Sequence, residues 1–134
     1  MHSIKTEYTG QLGTLSEHLP SNSFINTDAP VDNNGKGQAF SPTDTLAMAL
    51  GACMMTVMSI KGEAEGWDMS GMHLETQKIM AANPRRVAAI HINFYWDKCT
   101  LNDKQRARIK RVGKTCPVAL SLHPEIEQKI TYYF

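Results

Sequence analysis

Cysteine is scarce in this chain: only Cys53, Cys99 and Cys116 occur in 134 residues. Three are too few for a disulfide scaffold and one too many for simple pairing. No CxxC is present and no histidine lies near a cysteine at zinc-finger spacing, which argues against a structural zinc site. Excess charge of one sign is missing too. Fourteen basic and 13 acidic residues leave a formal net charge of +1, so no global field recruits nucleic acid or anionic membrane. Long apolar runs are also missing. The longest charge-free stretch after residue 40, Thr45 to Ile60, falls short of the ~20 residues a bilayer needs and carries Ser and Thr. The N-terminal MHSIKTEYTG has neither a basic start nor an apolar core, which is not the pattern of a signal peptide. The expectation is a soluble cytoplasmic protein whose thiols stay reduced unless they do redox work.

What remains is an ordinary globular balance. Hydrophobic residues make up 42% and charged residues 20%, which argues against disorder. A chain of this length buries roughly 65–70% of its unfolded surface, and a single domain spanning 1–134 is expected.

Residues 2–9 and 12–19 alternate loosely around Gly10 and Gly13 and read as a hairpin. A short extended piece around Phe24–Ile25 follows. The Gly-, Asn-, Asp- and Pro-rich 28–40 segment reads as a loop. It lacks Walker spacing and a Ser or Thr after Lys36. Ser41-Pro42-Thr43-Asp44 is a helix start, with Ser41 as cap, Pro42 at the first helical position and Asp44 closing a capping box. The following TLAMALGACMMTVMSI is apolar on every side and predicts a buried central helix, which Gly62 or Gly66 can end. Two period-2 segments, 70–80 and 87–97, form a hairpin across residues 82–85. In the second, Ile90, Ile92, Phe94 and Trp96 face the core, opposite His91, Asn93 and Tyr95. Asn102 with Gln105 caps a basic helix at 103–114, interrupted at Gly113. Thr115-Cys116-Pro117 opens a short helix with Thr115 as cap, His123-Pro124 ends it, and 126–134 alternates as a final strand. Strands come in runs rather than alternating with helices, so the class is α+β with antiparallel sheet.

Two of the cysteines sit at informative positions. Cys53 lies in the middle of the most apolar helix, where a small core residue is the plain reading. Cys116 lies at a helix N-terminus, where unpaired N–H groups and the dipole favour thiolate and lower the pKa. Cys99 ends a strand with no activating neighbour and reads as structural filler.

SPTDTLAMALGACMMTVMS (41–59), together with TCPVALSLHP (115–124), resembles the OsmC/Ohr family, named for osmotically inducible protein C and organic hydroperoxide resistance. The resemblance covers nearly the whole chain, including the N-terminal strands and the hairpin with the NPRR turn. It implies an OsmC-like α+β fold, with antiparallel sheets packed on a long buried central helix, in an intertwined homodimer with active sites at the subunit interface. It further implies a two-cysteine thiol peroxidase that reduces organic hydroperoxides in oxidative or osmotic stress defence. By the resemblance, Cys53 matches the peroxidatic cysteine and Cys116 the resolving one. No bound cofactor or metal is implied. The partners would be an organic hydroperoxide, an external dithiol reductant such as a lipoylated protein, and a second copy of the chain.

Two positions depart from the hydroperoxide-specific branch. Its N-terminal arginine is missing, since the first arginines here are Arg85 and Arg86, and Lys5 and Lys36 are the cations nearest in sequence. Thr43 stands where that branch has Glu, with Asp44 the nearest acid. In a regular helix nine residues turn Asp44 to the face opposite Cys53, about 13 Å along the axis. Asp44 is therefore a candidate both as an orienting acid and as a helix-cap residue. These features align the chain with OsmC-like branches rather than with core hydroperoxide reductases, and keep a non-catalytic redox sensor or small-molecule binding protein as the alternative. Met48, Met54, Met55 and Met58 suit core filling or the wall of an apolar site. Six basic residues between Lys104 and Lys114 suit a solvated face better than RNA, because no aromatic is interleaved for base stacking. His91 and His123 read as structural.

Overall fold

The computed structural model describes residues 1–134. The chain forms two compact units, Met1–Thr45 and Leu46–Phe134.

The first unit is a meander of three antiparallel strands in spatial order, β1 (Ile4–Gly10), β2 (Gly13–His18) and β3 (Ser23–Asp28). Gln11 and Leu12 form the β1–β2 turn, both with positive φ (52° and 65°), the twist that two-residue hairpins require. Gly10, at φ 90°, absorbs the register shift that follows Tyr8. Neither face of this sheet buries an apolar side chain: Ile4, Tyr8, Phe24 and Ile25 are all exposed, and Asp28 and Ser41 are the unit's buried side chains. A three-stranded sheet without a covered face lacks the burial that stabilises such sheets independently.

The second unit holds the core. Helix α1 (Pro42–Ala64) begins in the first unit and continues into the second. Strands β4 (His73–Ala81) and β5 (Arg86–Tyr95), helices α2 (Asp103–Gly113) and α3 (Pro117–Ser121), and strand β6 (Glu127–Tyr133) follow. The alternation read in β5 holds. Ile90, Ile92 and Phe94, with Trp96 just past the strand end, are buried together with Leu50, Met54 and Met58 of α1 and Ile109 of α2. Full burial of each such side chain contributes about 1.5–3 kcal/mol. The indole Nε1 of Trp96 donates to the Ser70 carbonyl at 2.9 Å, so its polar edge is satisfied. Residues 70–72, expected as strand, are the turn that receives this bond.

Two expectations need correction. The sheet β4-β5-β6 is mixed: β4 pairs with β5 antiparallel, whereas β6 runs parallel to β5, from Ala89 opposite Glu127 to Tyr95 opposite Tyr133. The two helices between β5 and β6 supply the long crossover a parallel neighbour needs. Helix α1, expected to be buried all round, buries a stripe: Ala47, Leu50, Gly51, Met54, Met58 and Gly62. Leu46, Met48 and Ile60 stay exposed, Ile60 at 64%. The elements of one chain cover one side of the helix and leave the other apolar side open. By length and composition α1 could cross a bilayer, but its stripe is part of the packed core, as in the central helix of a soluble fold. Its end follows the sequence, with Gly66 at φ 75° and Trp67 N–H donating to the Gly62 carbonyl at 2.9 Å.

Glycine sets the approach of α2 to α1. A Cβ at Gly113 would stand 3.0 Å from Met58 Sδ and 3.3 Å from its Cγ, so no larger residue fits there without displacing a buried methionine. The chain leaves α2 at this point and reaches Cys116 three residues later.

Candidate functional site

Cys116 is the N-cap of α3. Its backbone is extended (φ −64°, ψ 140°), Pro117 takes the first helical position, and Sγ accepts a hydrogen bond from Ala119 N–H at 3.2 Å. This corrects the expectation that Thr115 is the cap. Its hydroxyl instead donates backward to the Val112 carbonyl at 2.7 Å, closing the end of α2 and leaving the sulfur to cap α3. The short helix is tied to the sheet by Gln128, whose Nε2 donates to the Ala119 carbonyl at 3.0 Å.

The thiol is fully buried in the core cluster, and this overturns the expected sign of its pKa. Burial, which disfavours the thiolate, is the largest influence and pushes the pKa up. The Ala119 N–H pulls it down, while hydrogen-bond and charge interactions with the Cys53 thiol push it further up. The N–H groups of Ala119 and, more weakly, Val118 at the start of a five-residue helix do not offset the lost solvation.

Cys53 sits in the middle of α1, half-buried against the same cluster. The fold thus brings two free thiols, distant in sequence, to the same core cluster, close enough for Cys53 to influence the ionisation of Cys116. One projects from a helix interior; the other is pinned at a helix start. Val118, Ala119, Met55 and Val57 pack on this core as partly buried apolar neighbours. The arrangement suits dithiol–disulfide chemistry. The half-buried thiol can receive a reagent, and the buried one can attack a sulfur formed next to it.

The remaining predicted positions separate. Asp44 closes the capping box foreseen for it. Ser41 N–H donates to Asp44 Oδ2 at 2.9 Å, and Asp44 N–H donates to Ser41 Oγ at 3.0 Å. Thr43 shares a 3.1 Å hydroxyl contact with Ser41. Lys5 is ion-paired to Glu7 at 2.7 Å on an exposed strand, and Lys36 Nζ donates to Gln11 Oε1 at 2.9 Å. Cys99 is half-buried, its N–H donating to the Trp96 carbonyl at 3.1 Å. His123 Nδ1 accepts from Glu125 N–H at 3.1 Å, a local turn contact.

The basic helix is partly engaged within the chain. Arg108 pairs with Glu65 at 3.3 Å, and Arg106 Nε donates to the Leu101 carbonyl at 2.8 Å. Lys110 Nζ donates to the Phe134 carbonyl at 2.7 Å while lying over the rings of Tyr132 and Phe134. No group of three or more His, Cys, Asp or Glu side chains is placed to hold a metal ion. Sequence reasoning missed Ala119 N–H and Gln128, the groups that hold Cys116 in place. A backbone donor and a residue from a distant strand leave no local signature.

The family of OsmC-like proteins matches residues 35–131. Among solved structures, a provisionally assigned osmotic-stress-induced and detoxification-response protein from Psychrobacter arcticus is 47% identical, with a TM-score of 0.95, over 99% of this chain and 96% of its own. An organic hydroperoxide resistance protein OsmC from Legionella pneumophila shares the fold at 14% identity and a TM-score of 0.72, over 100% and 98%. An OsmC-like protein of unknown function from Vibrio cholerae does so at 15% and 0.78, over 97% and 98%. No curated protein matches the chain. The family match and the high identity to the Psychrobacter protein agree: this chain belongs to the OsmC-like protein family.

Proposed function

We propose that this protein is a thiol-dependent peroxidase that reduces organic hydroperoxides through Cys53 and Cys116. The observation that carries the reading is the placement of a half-buried thiol on α1 and a buried thiol capping α3 at the same core cluster. The resistance function named for the Legionella protein that shares the fold supports it.

Cys53, as thiolate, attacks the distal peroxide oxygen. The O–O bond breaks, the alcohol leaves with a proton, and Cys53 becomes a sulfenic acid. Cys116 sulfur then attacks the Cys53 sulfur; an S–S bond forms and water leaves, taking the sulfenic oxygen, the hydroxyl hydrogen and the thiol proton. An external dithiol, such as a lipoylated protein, reduces the disulfide by two exchange steps and leaves as its own disulfide. The raised pKa of Cys116 fits this order. A thiol held protonated by burial does not compete with Cys53 for peroxide, and acts once a reactive sulfur has formed beside it. Asp44 is assigned the start of α1, with any orienting role toward catalysis left to its variant.

The working unit is a homodimer. Ile4, Tyr8, Phe24 and Ile25 on the first sheet and, in the second unit, Leu46, Met48 and Ile60 on α1 are exposed in the single chain, and exposed large apolar side chains on each unit support association. Three free cysteines suit a reducing compartment such as the cytoplasm. The alternative, a non-catalytic redox sensor or small-molecule binder, draws on the missing N-terminal arginine: Lys5 is held by Glu7 and Lys36 by Gln11.

Turnover of cumene hydroperoxide with dihydrolipoamide as reductant, for wild type, Cys53→Ser and Cys116→Ser, separates the two. Peroxidase action requires wild-type turnover well above Cys53→Ser. Equal rates would remove the enzymatic reading and leave the sensor or binder.

A further inference from the structure

The first unit contains a cleft of about 310 Å³ lined by Thr9, Gln11, Asn26, Asp28, Lys36 and Gln38 among others. The β1–β2 turn and the 35–39 segment form its walls, and the end of β3 supplies Asp28. The segment is held in place by its backbone: Gly35 N–H donates to the Pro30 carbonyl at 3.0 Å and Gly37 N–H to the Ala29 carbonyl at 3.2 Å. A Cβ at Gly35 would stand 1.6 Å from Ala29 O, so this fold-back demands glycine.

Two opposite charges line the cleft without neutralising each other. Asp28 is only 9% exposed, yet the bond to its carboxylate comes from a neutral donor, Gln38 N–H on Oδ2 at 3.0 Å. Lys36 is tied to the neutral Gln11 amide at 2.9 Å, which leaves further N–H donors on its ammonium group. No ion pair within the chain engages this side chain, so it is open to a cation entering the cleft. The other polar walls, Thr9, Asn26 and Gln38, are uncharged donors and acceptors.

We propose that this cleft binds a small zwitterion of the free amino-acid class, its ammonium group on Asp28, its carboxylate on Lys36, and a polar side chain among the amide and hydroxyl walls. Its volume lies at the small end of ligand sites, which suits a single amino acid. The proposal is independent of the thiol chemistry.

Titration calorimetry of the full chain with L-glutamine tests it, beside 4-carbamoylbutanoate, which lacks the ammonium group, and 4-aminobutanamide, which lacks the carboxylate. Glutamine is expected to bind saturably, with each comparator at least about tenfold weaker. Lys36→Met, a change at an exposed side chain, should weaken glutamine at least about tenfold and leave 4-aminobutanamide unchanged. Asp28→Asn should abolish the preference for glutamine over 4-carbamoylbutanoate. If Asp28→Asn fails to fold, Lys36→Met and the comparators decide alone. Absence of glutamine binding, equal binding of the three compounds, or glutamine affinity unchanged in Lys36→Met would each overturn the proposal.

Discussion

Gly113 is the contact through which α1, carrying Cys53, sets the position of the chain that enters Cys116. In Gly113→Ala the new Cβ would meet Met58 Sδ at 3.0 Å, Met58 Cγ at 3.3 Å and Met54 Cε at 3.4 Å. Ordinary contact begins near 3.4 Å, so the end of α2 or the Met58 side chain must yield by a few tenths of an ångström. Met58 is fully buried, and its sulfur lies mid-chain rather than at a free end. Overpacking of this kind costs about 1–3 kcal/mol. The gain in helix propensity from Gly to Ala offsets about 0.8–1 kcal/mol. The net expectation is a loss of about 1 kcal/mol, a fall of roughly 3–5 °C in Tm, with slower Cys53–Cys116 disulfide formation because the clash lies three residues from Cys116. Urea denaturation of Gly113→Ala, Met58→Val and the double variant measures the coupling. If the clash with Met58 is the cause, the shorter Val relieves it, and the double variant is more stable than the sum of the singles predicts by about 1 kcal/mol. Effects additive within about 0.5 kcal/mol would refute the reasoning, as would a Gly113→Ala protein more stable than wild type.

Asp44→Ala should cost about 1 kcal/mol by opening the Ser41 capping box while leaving the rate of Cys53 oxidation by cumene hydroperoxide within about twofold; a rate loss of tenfold or more in a folded variant would assign Asp44 to the chemistry. Burial raises the pKa of Cys116 in the folded chain, so between the unfolded thiol value, about 8.5, and the higher folded value the unfolded chain loses its proton first. Stability should therefore fall as pH rises through that window, and Cys116→Ser should remove this part of the slope in urea melts taken from pH 7 to 10; an unchanged slope would contradict the assignment. Sedimentation equilibrium should show a dimer at micromolar concentration, and Phe24→Glu, placing a charge on a side chain 56% exposed in the single chain, should shift it toward monomer. A monomeric wild type would mean that the open apolar faces are not an interface.

Much of this was legible because the responsible interactions are local. Ser41 with Asp44 and Asn102 with Gln105 both form the reciprocal caps their spacing implied. The alternation from Ile90 to Trp96 reported one buried face of β5 faithfully, because a strand next to a core has only two sides. What failed depended on distant partners. The parallel seat of β6 follows from the crossover, and its own residues alternate in the same way for either direction. The open side of α1 could not be read from a run apolar on all faces, since composition records what a helix can bury, and the single chain covers one stripe. At Cys116 the helix start was visible and the depth of burial was not; burial decided the sign of the pKa shift. The pairing of Cys53 with Cys116 rests on the family resemblance, and their placement at one core cluster is a product of the tertiary fold. Nothing in the loop composition of 28–40 announced a cleft with Asp28 and Lys36 on its walls.

The most direct measurement is the intact mass and peptide map of the reduced protein after one equivalent of cumene hydroperoxide. The account predicts the loss of two hydrogens, with a Cys53–Cys116 linkage and Cys99 still free, and in Cys116→Ser a sulfenic acid on Cys53 that dimedone traps. An unchanged mass, a linkage through Cys99, or dimedone labelling of Cys116 in place of Cys53 would contradict it.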